Sequence, residues 1–188
     1  MPAGGAGLDY LLYTPFRYPP YIGSRFRAPH DRGVWYGARA VRSSCAELGY
    51  WRWRFVTDSH GLTRLHGVAH TVFQAIAAGR TIDLRREPFN RDARDWSHPS
   101  DYGPCQALAR LAREADVRIV RYPSVRDPEH GECAAVLDLR AFAGCGAVRE
   151  RQTWFLTVDR QRASWVRATP AATAGSAEAY EFVFSAAS

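Results

Sequence analysis

Apolar residues in this chain recur at helical spacing in two stretches only, and its other hydrophobic runs are strand-length and do not alternate regularly with helices. That ordering limits the fold more than any single motif, because a doubly wound parallel sheet needs a helix between successive strands. The first helical stretch runs from Ser43 or Ser44 to about Phe55, with Leu48, Trp51 and Phe55 at helical spacing. The second follows a cap at Ser100 or Asp101, and Cys105, Leu108, Leu111 and Ala112 form its expected buried stripe. Strands are expected at 8–13, 33–37, 65–75, 80–84, 117–122, 133–139, 151–158 and 180–185. Pro15, Pro19 and Pro20 hold TPFRYPPYIG in a loop, and the small polar stretch 169–179 reads as another. The expected class is therefore α+β.

With 188 residues, 46% hydrophobic and 23% charged, the chain suits one compact domain, and no repeat or linker divides it. The formal charge of +6 and pI near 9.5 would ordinarily point to nucleic acid or an acidic partner. All 25 basic residues are arginine, however, a bias that looks like coding background more than a selected polyanion surface. Without lysine there is no Schiff-base nucleophile and no P-loop phosphate ligand, so those two reaction classes drop out.

Cys45, Cys105, Cys133 and Cys145 form no C-x-x-C pair, which suggests reduced thiols. The N-terminus has no basic region followed by an apolar one, and no run approaches the roughly 18 apolar residues of a membrane span. A soluble, cytoplasmic protein is expected. His66 and His70 could share a face as metal ligands do, but no third ligand stands near them in sequence, and a strand accounts for the spacing; no metal is expected. WRWRF at 51–55 interleaves arginine with aromatics as single-stranded nucleic-acid binders do, whereas on a helix Trp51 and Phe55 face one way and the arginines the other. Gly4, Gly5 and Gly7 follow no strand and make no dinucleotide fingerprint. Ser124 has no neighbouring histidine to activate it, and a hydrogen-bonding role suits it better than a nucleophilic one.

Arg25, Tyr36 and Glu47 stand at intervals of eleven residues. If Tyr36 ends a strand and Glu47 lies in the first turn of the next helix, both can face one cleft, with Arg25 arriving from the preceding loop. A guanidinium fork suits phosphate oxygens, a tyrosine ring stacks on a flat heterocycle, and a carboxylate suits a ribose hydroxyl or a developing positive charge. Together they describe a nucleotide whose glycosidic carbon becomes cationic. The plainer reading is that Ser44 and Glu47 form a capping box, Arg25 is a surface residue and Tyr36 belongs to the core.

The segments GSRFRAPHDRGVWYGA, SSCAELGYWR, QALARLAREADVRIVRYPSVRDP and AVLDLRAF, in that order from about Thr14 to Phe142, resemble the RES domain. The family's arginine, tyrosine, glutamate and serine fall on Arg25, Tyr36, Glu47 and Ser124. The resemblance implies an ADP-ribosyltransferase-like domain: two small mixed sheets flanked by helices around an NAD cleft. It also implies the toxin half of a bacterial toxin–antitoxin pair, restrained by a Xre-type, helix-turn-helix antitoxin. The chemistry implied is cleavage of the nicotinamide–ribose bond of NAD by hydrolysis, phosphorolysis or ADP-ribosyl transfer. Tyr36 would stack on nicotinamide, Glu47 would hold the ribose, and Ser124 would complete the pocket. Arg25 or Arg27, which project to one side of an extended segment, would grip the cofactor. Arg126 is a further phosphate candidate and Arg17 a more remote one. The alternatives are a basic nucleic-acid-binding module and an interaction domain without turnover.

Overall fold

The structure is a computed structural model that describes residues 7–17, 21–144, 147–168 and 177–184. Pro19, Pro20, Cys145, Gly4, Gly5 and most of the 169–179 loop lie outside the described residues. The chain folds as a single α+β domain. One four-stranded sheet has the order β1 (Trp35–Ala38), β5 (Glu132–Val136), β4 (Ile119–Pro123), β3 (Thr81–Asp83), and only the β3–β4 pair is parallel. The other, wholly antiparallel, has the order β2 (Leu65–Gln74), β6 (Arg149–Val158), β7 (Arg162–Arg167), β8 (Ala179–Val183).

Each sheet buries one face against its own helix. On the second sheet, Trp154, Leu156, Val158, Ala163, Trp165 and Phe182 close on Cys45, Ala46, Tyr50, Trp53 and Val56 of α2 (Val41–Asp58). A Cβ on Gly49 would stand 3.2 Å from the Ala163 Cβ, so glycine there permits the close approach. The first sheet packs Val120, Tyr122, Cys133 and Ala135 on Cys105, Ala109 and Ala112 of α4 (Gly103–Glu114). Its opposite face carries Ile119 and Val136 against Leu12, Leu139 and Phe142. Each large side chain buried this way contributes about 1.5–3 kcal/mol relative to exposure.

Several expectations change. LDYLLY forms no strand; it contains the short helix α1 (Tyr10–Tyr13), whose Asp9 carboxylate accepts from Leu11 N at 3.0 Å and caps the turn. Helix α2 begins at Val41, earlier than Ser43 or Ser44, and runs on to Asp58. The Ser44–Glu47 capping box therefore does not exist. The cap position belongs to Ala40, and Glu47 falls in the second turn instead of the first. The expected apolar stripe of α2 also faces outward: Trp51 is 49% and Phe55 54% exposed, as are the intervening arginines, while Tyr50, Trp53 and Val56 are buried. On α4, Leu111 is 63% exposed, and Ala109 holds the buried position beside Cys105 and Ala112. Neither β7 nor the short helix α3 (Ala93–Trp96) is among the expected elements. On β2 a bulge between Leu65 and Val68, with Gly67 at φ +61, breaks the simple alternation between His66 and His70. His70 instead hydrogen-bonds the Val68 carbonyl through Nδ1 at 2.9 Å and sets its ring edge-on to Trp165.

Candidate active site

Helix α2 touches β1 and β5 of the first sheet as well as β6, β7 and β8 of the second, so its side chains reach the junction between the sheets. There Glu47 meets the loop that leaves β4. Ser124 Oγ donates to Glu47 Oε1 at 2.6 Å, and Val125 N donates to the same oxygen at 3.2 Å. Among the described residues Oε2 takes no hydrogen bond, which leaves one carboxylate oxygen for a ligand in the cleft that Glu47 lines. Ser124 is 0% exposed, and its Oγ accepts from Arg126 N at 3.2 Å and Asp127 N at 3.0 Å. Its influence on the cleft runs through Glu47.

Tyr36 is turned the other way. Its hydroxyl shares a 2.8 Å hydrogen bond with Ser24 Oγ and accepts from Phe26 N at 3.0 Å, while the ring remains open to the cleft. Burial of the hydroxyl raises its pKa, against the opposing pull of those two bonds and of Arg27 and Arg25, so the phenol is neutral at physiological pH. Deeper in the wall, Tyr122 is raised well above the usual tyrosine value by complete burial, with Cys133 and Glu47 adding to the effect.

The two candidate arginines of the opening segment come from a tight turn, not a strand. Ser24 N donates to Arg27 O at 2.7 Å and Arg27 N to Ser24 O at 3.1 Å, and Phe26 inside the turn is buried against the Tyr122 ring. Both Arg25 and Arg27 line the cleft. Arg25 Nη1 donates to the Trp96 and His98 carbonyls, each at 2.9 Å, and the guanidinium lies over the Tyr102 ring at 4.7 Å. Arg126 donates through Nη2 to the next carbonyl, that of Pro99, and stacks on Tyr50 at 3.5 Å. The 96–99 segment thus brackets two guanidinium groups at one cleft. Arg17 does not line it.

The cleft encloses about 770 Å³, within the roughly 300–1,000 Å³ range of small-molecule sites. Among the described lining residues Glu47 is the one acid, and it shares the cleft with Arg25, Arg27 and Arg126. A second compartment of about 720 Å³ adjoins it, sharing Tyr36, Ser44, Leu48 and Cys133. No group of His, Cys, Asp or Glu among the described residues is arranged to hold a metal ion, and no helix among them is long and apolar enough to cross a membrane.

The family model of the RES domain matches residues 3–159. The chain belongs to the RES domain family. Among curated proteins, none matches the sequence. Membership ties the chain to NAD-directed, toxin-like enzymes, and the cleft brings together Arg25 and Tyr36 of the first matching segment with Glu47 of the second, while Ser124 of the third stands behind Glu47. Sequence reasoning missed Tyr102, Tyr122, Leu48 and Trp51, all of which line the RES cleft. Tyr122 was within reach, since alternation along β4 places it on the face of the buried Val120. Tyr102 gave no such signal, because its position depends on a cation from 77 residues earlier in the chain.

Proposed function

We propose that this protein breaks the nicotinamide–ribose bond of NAD and that it is the toxin of a type II toxin–antitoxin pair acting in the cytoplasm, with residues 1–188 forming one RES-type domain. The observation that carries the reading is Glu47: a carboxylate fixed through Oε1 by a buried serine, with Oε2 unengaged by the described residues, in one cleft with three guanidinium groups and a neutral tyrosine. Arg25, Arg27 and Arg126 suit the two phosphates, and bidentate donation favours arginine for that task. The Tyr36 ring offers a stacking face for nicotinamide, with its hydroxyl already committed to the protein.

As the bond breaks, its electron pair leaves with the ring nitrogen, which becomes neutral, and the ribose carbon acquires positive charge. Glu47 faces that charge, and a fixed charge aimed at a developing one is usually the largest catalytic term. A lone pair from water, phosphate or a protein side chain then closes on the carbon, and the acceptor's proton passes to solvent. Ser124 acts by holding Glu47. Incubation of the purified protein with NAD should release nicotinamide, detectable by chromatography; intact NAD after prolonged incubation with folded protein would contradict the reading.

The exposed Leu48 and Trp51, with the highly exposed Tyr21 and Ile22, give the cleft an apolar rim, and Phe55 is exposed one turn further along α2. That rim suits a Xre-type, helix-turn-helix antitoxin that closes the site. A second reading draws on the same surface, because Arg52 and Arg54 are exposed between those aromatics as single-stranded nucleic acid would require. Binding that weakens steeply with salt, together with inert NAD, would favour it.

A further inference from the structure

We propose that Asp127 and Ser43 are positioning residues for Glu47, forming a latch that clamps the Ser124 loop onto α2 one helical turn before the carboxylate. The inference rests on the reading of Glu47 as the catalytic carboxylate. Residues 43 and 47 are neighbours on one face of α2, and each captures the same loop. Ser43 Oγ donates to Asp127 Oδ2 at 2.7 Å, just as Glu47 Oε1 accepts from Ser124 Oγ at 2.6 Å. Between those two grips lie only Val125 and Arg126.

The hydroxyl of Ser124 has one proton to give. Its oxygen already accepts from Arg126 N and Asp127 N, so that proton is directed at Glu47. The two backbone donors are in place because the Asp127 carboxylate is held from several sides. Oδ2 accepts from Ser43, while Oδ1 accepts from Arg42 Nε at 3.1 Å and Glu129 N at 3.1 Å. Ser124 N closes the loop by donating to Gly131 O at 2.8 Å. A Cβ on Gly131 would stand 2.0 Å from Ser43 Oγ and 3.2 Å from Asp127 Oδ2, so the backbone crosses the latch where only glycine fits. Ser43, Ser124 and Asp127 are each no more than 1% exposed, which leaves no water to replace a lost partner. Although burial alone would push the Asp127 pKa up, the Ser43 hydroxyl, the Glu129 N–H and Arg42 hold it below the usual carboxylate value.

The test compares kcat and KM for NAD in Asp127→Asn, Ser43→Ala and Gly131→Ala, with Asp83→Asn as control. Asp83 is likewise an arginine-held carboxylate, bonded to Arg85 at 2.6 Å, but it lies on β3 outside the cleft. The latch variants should lose about 10- to 100-fold in kcat, the scale of a misplacement near 1 Å, with KM changed less than about threefold. Asp83→Asn should keep kcat. Adding Ser43→Ala to Gly131→Ala should restore activity to the level of Ser43→Ala alone, because the obstructing hydroxyl is gone.

The deciding measurement is a double-mutant cycle with Ser124→Ala: in that background Asp127→Asn should cost little further kcat, since its effect passes through Ser124. Additive losses, losses that track the unfolded fraction and recur in Asp83→Asn, or unchanged kcat in the latch variants would each overturn the latch. Wild-type protein that leaves NAD intact would instead refute the catalytic reading beneath it.

Discussion

Helices α2 and α4 each lie on a sheet, yet they treat their apolar residues in opposite ways. On α4 the buried face is built from small residues, Cys105, Ala109 and Ala112, and the helix serves chiefly to cover the first sheet. On α2 the buried face includes Tyr50 and Trp53, while Leu48 and Trp51 line the cleft and Phe55 is exposed one turn beyond them. Packing therefore uses one side of α2, and the side that would otherwise be polar carries the site and its apolar rim. A helix with exposed aromatics next to a candidate carboxylate is arranged for a partner or ligand as well as for stability.

The largest effect expected from breaking this contrast is at Trp53, which is 2% exposed and donates from Nε1 to Arg160 O at 3.0 Å. Trp53→Ala should cost about 3–5 kcal/mol in urea unfolding, with the lost hydrogen bond included in that cost. Next in size is the arginine turn, which Gln106 of α4 supports by donating from Nε2 to Ser24 O at 3.0 Å and Arg27 O at 3.3 Å. Arg25→Lys should lower NAD turnover about 10- to 100-fold, because a point charge cannot reproduce a planar group that lies over the Tyr102 ring, anchors on the Trp96 and His98 carbonyls through Nη1 alone and keeps its other nitrogens for a bidentate contact. Arg27→Lys should do less. The reverse ranking in steady-state kinetics would move the principal cofactor contact to Arg27.

Acid should separate the helices again. Asp127 has a depressed pKa and clamps the start of α2 through Ser43 and Arg42, whereas the α4 ion pair from Arg110 to Asp31 is more exposed. A depressed carboxylate contributes stability that is complete above its unfolded value, about 3.9 for aspartate, and is lost as pH falls through the lower folded value. Amide exchange below about pH 4 should therefore rise at the start of α2 before it rises in α4; equal protection would remove Asp127 as the anchor. The smallest stability effect is expected at the rim, where Trp51→Ala should shift unfolding by no more than about 0.5 kcal/mol. Under the proposal that an antitoxin covers this rim, its consequence should appear in binding of that partner, measured by titration calorimetry.

Much of this architecture was readable from residue order. Strand-length runs located seven of the eight strands among the described residues, and irregular alternation gave the α+β class. What periodicity could not supply was direction. Leu48, Trp51 and Phe55 have the spacing of a buried stripe, and only the position of the second sheet shows that Tyr50 and Trp53 take that role. The same holds for Glu47, whose apparent partner Ser44 stands three residues before it, while its actual partner Ser124 comes from a loop 77 residues away. β7 was legible in principle, since Ala163 and Trp165 alternate with exposed residues. Asp127 was not, because nothing local distinguishes a buried acid from the other acidic residues of the chain.

The central claim is that the Glu47 carboxylate acts in bond breaking, and Glu47→Gln tests it with little change of shape. With no capping box at stake, the amide can still accept from Ser124 and Val125, so melting temperature and NAD affinity should stay near wild type. Nicotinamide release measured on the same samples should fall by about 10²–10³-fold, the scale of removing a transition-state electrostatic contact. A variant that binds NAD and releases nicotinamide at the wild-type rate would contradict the account.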